Sequence, residues 1–211
     1  MLKKSSVLGI LSPLFYITHV ILGGLLWKGY NHIVQPISDL TAAGAPDREL
    51  LSVFSTLYSV SGLLFSVCAF LYWRRAKVRS INISMILYII MSLISFSYVF
   101  FPQDMPGEPA TFRGIMHLAV TGLIVPVAIL YPAFAGIGFR KLGGFKKFSV
   151  YSIVTSVVIF VSGGTSVMFI ANKIPFFGLV ERINIGSIQL WTLVMAVLIL
   201  ASRKLDRLFS Q

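Results

Sequence analysis

Six uninterrupted apolar stretches constrain this chain more than any other feature of its sequence. Each is long enough to cross a bilayer as a helix, which takes about 20 residues, and none shows the two-residue alternation of an outer-membrane strand. Only 12% of the 211 residues are charged, whereas soluble domains carry roughly 25%. We therefore predict an all-α fold, a polytopic membrane bundle forming one domain (1–211), with transmembrane helices at 7–27, 51–73, 81–101, 113–139, 148–171 and 183–201.

The net charge of +11 is distributed in a way that indicates membrane topology and not nucleic-acid binding. Short loops rich in Lys and Arg stay in the cytoplasm. We therefore predict a multi-pass protein of the cell membrane with both termini cytoplasmic and with loops 28–50, 102–112 and 172–182 outside. The basic loops are expected to attract anionic lipids at the cytoplasmic face. Five basic residues lie on the predicted outer side and thirteen on the inner side, namely Lys3, Lys4, Arg74, Arg75, Lys77, Arg79, Arg140, Lys141, Lys146, Lys147, Arg203, Lys204 and Arg207.

Six of the seven acidic residues fall on the predicted outer side, although acids contribute little to topology. The first outer loop contains three of them within QPISDLTAAGAPDREL, residues 35–50. Asp47 and Glu49 suit the positive end of the helix that follows. The run of small residues in this loop predicts that it packs down into the outer mouth of the bundle. Asp39 then either caps the chain locally or points inward.

The second outer loop lies in FPQDMPGEPATFRGIMH, residues 101–117. Asp104 directly follows the end of the third span, and His117 lies about one turn inside the fourth. Ionisable residues inside a span are rare and usually face the bundle interior or a cavity. His117 is therefore either hydrogen-bonded to a neighbouring helix or part of a functional site.

The third outer stretch, GLVERINIGSIQLW at residues 178–191, places Glu181 and Arg182 side by side. Arg182 has three open interpretations. It can pair with Asp39 or Asp104, bind a phosphate in bidentate fashion, or anchor the chain at the membrane interface.

Metal binding has only weak support in the sequence. His19 is the other intramembrane histidine and lies roughly 12 Å below the outer end of the first span. With no H-x-x-x-H pair and no H-E-x-x-H motif, no cofactor is identified. The weak candidates for metal ligands are His19, His117, Asp39 and Asp104.

Two spans carry features that bear on helix packing. Pro126 and Pro132 predict a kink in the fourth span. In the second span, small residues recur at helical spacing and form one stripe, which lets another helix approach closely. The stripe consists of Ser52, Ser55, Ser59, Gly62 and Ser66.

The stretches PISDLTAAGAPDR, FPQDMPGEPATFRGIMH and GLVERI together resemble the prokaryotic six-span membrane family of domain of unknown function 998. The resemblance covers nearly the whole chain and implies a six-span fold without an established activity. The Pro36–Asp39 stretch also resembles, more distantly, the first outer loop of the eukaryotic Frag/DRAM/Sfk proteins. Those proteins are linked to lipid-anchor remodelling, plasma-membrane lipid organisation and autophagy. Their likeness implicates Ile37, Ser38 and Asp39 and directs the functional hypothesis toward lipids.

These features together predict a polar, acidic site at the outer mouth of the bundle that acts on a lipid substrate or ligand. In the catalytic hypothesis, His117 is a general base with Asp39 or Asp104 as its partner, in acyl or headgroup transfer or hydrolysis. In the alternative, the protein is a lipid-binding or sensing module without turnover. A small transporter is disfavoured because the spans offer few ionisable groups near the bilayer midplane. The candidate binding residues are Ser38, Glu181, Arg182 and Arg48.

Overall fold

The computed structural model describes residues 3–201 and shows a bundle of six α-helices. Within these residues no β-strand forms, so the predicted all-α class is confirmed. Short 3-10 helices occur at Lys4–Ser6, Ile37–Thr41, Arg74–Ala76 and Ser97–Val99. The α-helices are α1 (Val7–Leu26), α2 (Arg48–Trp73), α3 (Arg79–Phe96), α4 (Phe112–Phe139), α5 (Lys146–Ala171) and α6 (Phe177–Ala201).

All six helices have the length and hydropathy needed to cross a bilayer. Counted with their adjoining 3-10 turns, they run from 21 to 29 residues, with mean hydropathies from 1.7 to 2.1. A span of about 20 apolar residues matches the hydrocarbon thickness. The chain is therefore an integral, multi-pass membrane protein.

The helices follow one another around a ring. Each packs against the next in sequence, and α6 closes the ring against α1. At one end lie the connections 27–47, 100–111 and 172–176, and we call it the long-loop end because it has the two longest connections of the bundle. The short-loop end has the connections 74–78 and 140–145.

The predicted span ends agree with the helices to within three residues, except at the end of α3, which stops at Phe96 and not at residue 101, and at the start of α6. This helix begins at Phe177, six residues before the predicted start at residue 183. The prediction was wrong because Glu181 and Arg182 were assumed to lie outside the apolar span. Both are helical, and the backbone of the first long loop satisfies their charged groups.

Helix faces are arranged as a bilayer requires, with large apolar side chains outward. On α1, Leu14, Ile21 and Leu25 are exposed, whereas Ser12 and His19 are buried. Lipid tails are as apolar as Leu, so no hydrophobic force drives these outward residues into the bundle. Helix association instead relies on close packing and hydrogen bonds between helices.

The small-residue stripe of α2 is a contact surface, as predicted. A Cβ added at Gly62 would lie 3.0 Å from the Ser12 Oγ. The Ser12 hydroxyl donates to the Tyr58 carbonyl at 3.0 Å. The absence of a side chain at Gly62 therefore lets α1 and α2 approach closely enough for this bond.

Both prolines of α4 lie inside one continuous helix. Since proline lacks an N–H, it removes one intrahelical hydrogen bond and crowds the carbonyl four residues earlier. In the turn before Pro132, the Ile129 carbonyl accepts a bond of 2.7 Å from the Ser156 hydroxyl of α5. Neighbouring helices commonly supply bonds of this kind around membrane prolines.

The interior contains both hydroxyl and aromatic side chains along its length. About midway along the bundle, α1, α2, α3 and α6 line a cavity of about 20 Å³, whose polar lining includes Ser12, Ser59, Ser92, Ser95, Gln189 and Thr192. That volume accommodates one water molecule. Toward the short-loop end, aromatic rings fill the core, with Trp73 and Phe139 centroids 4.5 Å apart.

We predict that Gly138→Ala loosens the contact between α3 and α4. The new Cβ would lie 2.8 Å from the Ile81 backbone nitrogen, which cannot move aside as a side chain does. Overpacking of this kind destabilises by roughly 1–3 kcal/mol, which a thermal unfolding curve in detergent will show as a lower melting temperature. Gly122→Ala in the same helix is the matched control, because no atom lies within 4 Å of its added Cβ. Equal melting temperatures for the two variants would refute the close contact.

Candidate functional site

The first long loop, residues 27–47, folds back onto the bundle as the sequence predicted. Ile37, Leu40 and Ala42 are buried, Leu40 completely. Leu40 packs on α1 at Gly23, where an added Cβ would lie 3.0 Å from the Leu40 methyl groups. The loop therefore forms a layer that closes the long-loop end of the bundle.

Asp39 lies beneath this layer with only 1% of its surface exposed. Its Oδ1 accepts a hydrogen bond of 2.9 Å from the Gln103 amide. Its Oδ2 is buried and has no hydrogen-bond partner. Loss of hydration raises the pKa of Asp39, because burial penalises the charged form. A buried carboxylate oxygen without a partner is unfavourable and marks a place that a donor group would fill.

Gln103 organises the site, although the sequence analysis did not select it. The Ser38 hydroxyl donates to its Oε1 at 2.5 Å, while its amide nitrogen binds Asp39. Its backbone carbonyl accepts from the Ala43 N–H at 2.8 Å. Gln103 thereby joins the first and second long loops. The sequence feature that could have identified Gln103 is its position between Pro102, which follows the third span, and Asp104. Its side-chain amide can donate and accept hydrogen bonds at once, which suits a residue that joins two loops.

Glu181 reaches the same layer from α6. Its Oε2 accepts a hydrogen bond of 2.7 Å from the Ile37 backbone N–H. This bond satisfies the first donor of the 3-10 helix that carries Asp39. The structure therefore places Ser38, Asp39, Gln103 and Glu181 around one short segment of the loop.

Arg182 binds backbone carbonyls, and none of its hydrogen bonds is to a carboxylate. Its Nη1 donates to the carbonyls of His32 at 2.6 Å and Gln35 at 3.0 Å, and Nη2 donates to the Tyr30 hydroxyl at 2.6 Å. Of the three interpretations left open by the sequence, the pairing with Asp39 or Asp104 is not found within residues 3–201. The reason is that the loop brings several carbonyls over the guanidinium, whose five donors suit them. Burial, opposed by Arg182, raises the pKa of Tyr30 to about 12.

Gly178 permits this arrangement. A Cβ at this position would lie 2.3 Å from the Gln35 carbonyl oxygen and 2.8 Å from that of His32. The loop backbone thus rests directly on the first turn of α6, and a larger residue would displace it.

Asp104 organises the start of α4. Its two carboxylate oxygens accept from the Thr111 N–H at 2.8 Å and the Thr111 hydroxyl at 2.7 Å. These bonds lower the pKa of Asp104. Thr111 in turn caps the helix by accepting from the Gly114 N–H at 3.1 Å. The carboxylate of Asp104 is thereby engaged in holding the loop.

His117 is half-buried one turn inside α4. Its Nδ1 lies 2.9 Å from the Phe101 carbonyl oxygen, and its ring centroid is 4.7 Å from that of Tyr98. Of the two interpretations left open by the sequence, the structure shows the hydrogen bond to a neighbouring element. His117 and Asp104 lie at the start of α4, whereas Asp39 is hydrogen-bonded to Gln103 beneath the first long loop.

Arg48 and His19 lie apart from Asp39 and Glu181. The Arg48 Nε donates to the Thr41 carbonyl at 3.4 Å and so supports the end of the loop. His19 is buried in α1 with its Nε2 unpartnered and its ring 6.4 Å from that of Tyr16. Over residues 3–201, no three His, Cys, Asp or Glu side chains are grouped closely enough to hold a metal ion. The weak metal candidates therefore do not form such a group.

Comparison with known proteins places this arrangement in a family. The sequence profile described as protein of unknown function (DUF998) matches residues 10–198. The chain belongs to the DUF998 family. No curated protein and no solved structure matches the chain. The family assignment predicted from the three loop stretches is confirmed for this DUF998 protein, whereas the more distant likeness to the Frag/DRAM/Sfk proteins stays a prediction.

We predict that Arg182→Lys releases the first long loop from α6. A lysine ammonium cannot reproduce the fork that binds the His32 and Gln35 carbonyls and the Tyr30 hydroxyl together. Since hydrogen bonds to charged groups contribute about 1.5–3 kcal/mol, the melting temperature should fall and trypsin should cleave faster after the exposed Lys28.

Arg48→Lys is the matched control, since Arg48 makes only one long bond to the same loop. If trypsin cleaved after Lys28 equally fast in both variants, Arg182 would not be what holds the first long loop. A melting temperature that Arg182→Lys leaves unchanged would lead to the same conclusion.

Proposed function

We propose that this DUF998 protein is a lipid-binding membrane module whose long-loop end recognises a lipid headgroup without turning it over. Asp39 and Glu181 form the recognition site, with Ser38 and Gln103 in support. The observation that carries this proposal is the buried Asp39 Oδ2, which makes no hydrogen bond of standard geometry within residues 3–201, although the Gln35 side chain interacts with the carboxyl group. Buried polar atoms in folded proteins are almost always paired, so this one is a natural contact point for a ligand.

The chemistry of the free atom defines the class of headgroup. A carboxylate oxygen only accepts hydrogen bonds, so the ligand must bring a donor. An ammonium or hydroxyl headgroup supplies one, whereas a bare phosphate does not. Glu181 lies in the same layer and supplies a second carboxyl group that can accept a hydrogen bond from the headgroup.

The ligand must gain access to Asp39, which the loop covers. The Gln103 side chain is the movable part, because it is held by two side-chain hydrogen bonds and not by the bundle core. A headgroup with at least two donor hydrogens that replaces the Gln103 amide at Oδ1 would also supply a donor to Oδ2. The depth of Asp39 in the membrane also suits a lipid headgroup, since helix ends and their loops lie at the level of the headgroups.

Binding without catalysis fits the geometry better than acyl or headgroup transfer or hydrolysis. His117 makes no hydrogen bond to a carboxylate within the described residues: its Nδ1 lies 2.9 Å from the Phe101 carbonyl oxygen, and Asp104 accepts its bonds from Thr111. The two Nη groups of Arg182 are bonded to carbonyls and to the Tyr30 hydroxyl, which leaves only the buried Nε without a partner, so the guanidinium cannot bind a phosphate or an oxyanion in bidentate fashion without releasing the loop. The resemblance to Frag/DRAM/Sfk proteins supports a lipid ligand but not a particular reaction.

We predict that Asp39→Asn loses lipid retention while the protein stays folded. Wild-type protein is purified from a native lipid extract, and the retained lipids are identified by mass spectrometry. We expect one class with an ammonium or hydroxyl headgroup to be enriched and to fall by about tenfold or more in the variant, the effect of losing one bond to a charged group. The matched control is Asp47→Asn, an exposed acid of the same loop.

Thermal unfolding separates recognition from a purely structural role. Since burial raises the pKa of Asp39, its charged form destabilises the fold. The wild type should gain stability as the pH falls from neutral toward the ordinary aspartate pKa near 4. Asp39→Asn should show a smaller gain than wild type over this pH range and melt no lower than wild type at neutral pH. A clearly lower melting temperature, or a lipid product formed by wild type alone, would overturn the non-catalytic proposal.

We further propose that the long-loop end is extracytoplasmic and both termini are cytoplasmic in the cell membrane, on the support of the asymmetric basic charge. The residues Arg203, Lys204 and Arg207 that contribute to this asymmetry lie outside the described residues.

We predict that a cysteine at position 108 reacts with an impermeant maleimide in intact cells, whereas one at position 141 reacts only after permeabilisation. The variants are Glu108→Cys and Lys141→Cys, each in a Cys68→Ser background that removes the single native cysteine. Both parent residues are exposed. The opposite labelling pattern would reverse the orientation.

A further inference from the structure

A groove lies between α5 and α6 at the short-loop end, far along the bundle from Asp39. Its volume is about 350 Å³, within the range of roughly 300–1,000 Å³ typical of ligand pockets. We call it the α5–α6 groove. It is lined by Gly144, Phe145, Lys147, Phe148, Tyr151, Val194 and Leu198.

The walls of the α5–α6 groove are largely apolar, and the groove lies on helices that face lipid. Val150 and Val154 of α5 and Val197 of α6 expose roughly half of their surfaces on the adjoining faces. A concave apolar surface inside a bilayer is filled by lipid tails, because an empty one forfeits its van der Waals contacts. The groove therefore has room for part of an acyl chain.

One cation stands at the edge of this apolar surface. Lys147 lines the groove near the start of α5, and Arg140, Lys141 and Lys146 lie on the same connection. Residues 140–151 contain no acid. The apolar wall and the adjoining positive charge match the two parts of an anionic phospholipid, whose chain enters the groove while its phosphate meets the lysine.

We infer that the α5–α6 groove is a binding site for an anionic phospholipid, with the phosphate at Lys147 and an acyl chain against Phe148, Val194 and Leu198. This site is independent of the long-loop site and does not involve Asp39. It also differs from the diffuse attraction of anionic lipids to basic loops, because it requires one lysine and one apolar surface together.

The test uses the full chain in nanodiscs or detergent, titrated with phosphatidylglycerol or phosphatidylcholine and followed by native mass spectrometry. Wild type should prefer phosphatidylglycerol. Lys147→Ala should weaken this binding about fivefold, the effect of one lysine near an anionic lipid surface. Lys146→Ala is the matched control, since Lys146 is the neighbouring exposed cation and does not line the groove.

A second variant distinguishes binding in the apolar groove from attraction by charge alone. Leu198→Trp fills the groove without changing charge and should lower the binding of phosphatidylglycerol, with the melting temperature measured to show that the protein is folded. Equal losses for Lys146→Ala and Lys147→Ala would show diffuse loop electrostatics and overturn the site. Unchanged binding by a folded Leu198→Trp protein, or no preference between the two lipids, would overturn it as well.

Discussion

The architecture of the long-loop end depends on how the backbone N–H and carbonyl groups of the first long loop find hydrogen-bond partners at the edge of a bilayer. Two adjacent residues of α6 do this with opposite chemistry. Arg182 donates to the carbonyls of His32 and Gln35, while Glu181 accepts from the Ile37 N–H. Unsatisfied backbone groups are costly where water is scarce. An acid and a base side by side can therefore hold a loop by its donors and its acceptors alike, without pairing with each other.

The hydrogen bonding of Asp39 differs from that of Glu181 and Asp104. Glu181 and Asp104 each accept bonds from backbone N–H groups, and so stabilise the chain. Asp39 keeps one oxygen unpaired beneath the loop. Such an atom lowers stability and is retained where it has another use. In the proposed function, this oxygen is the atom that a donor group of the lipid headgroup would contact.

The two ends of the bundle differ in the charge of their loops. About midway along the bundle the interior contains hydroxyl and amide groups around a small cavity, and at the long-loop end the loop layer adds two carboxyl groups. Near the short loops the interior contains aromatic rings such as Trp73 and Phe139 together with buried hydroxyl groups such as that of Ser84, and the charges outside it are basic. Under the two proposals made above, the acidic site and the basic groove would bind lipids of different headgroup chemistry at opposite ends of the bundle.

The sequence by itself determined the number of helices, their approximate ends and the compact first loop, because hydropathy and helix length are local properties of the chain. It also pointed to Ser38, Asp39 and Glu181 as residues of one layer. It did not predict Gln103, the early start of α6 at Phe177 or the carbonyl partners of Arg182. These features arise from contacts between residues 64 to 150 positions apart. Only the closed ring of helices brings such residues together, since hydrogen-bond partners are chosen by distance in space and not along the chain.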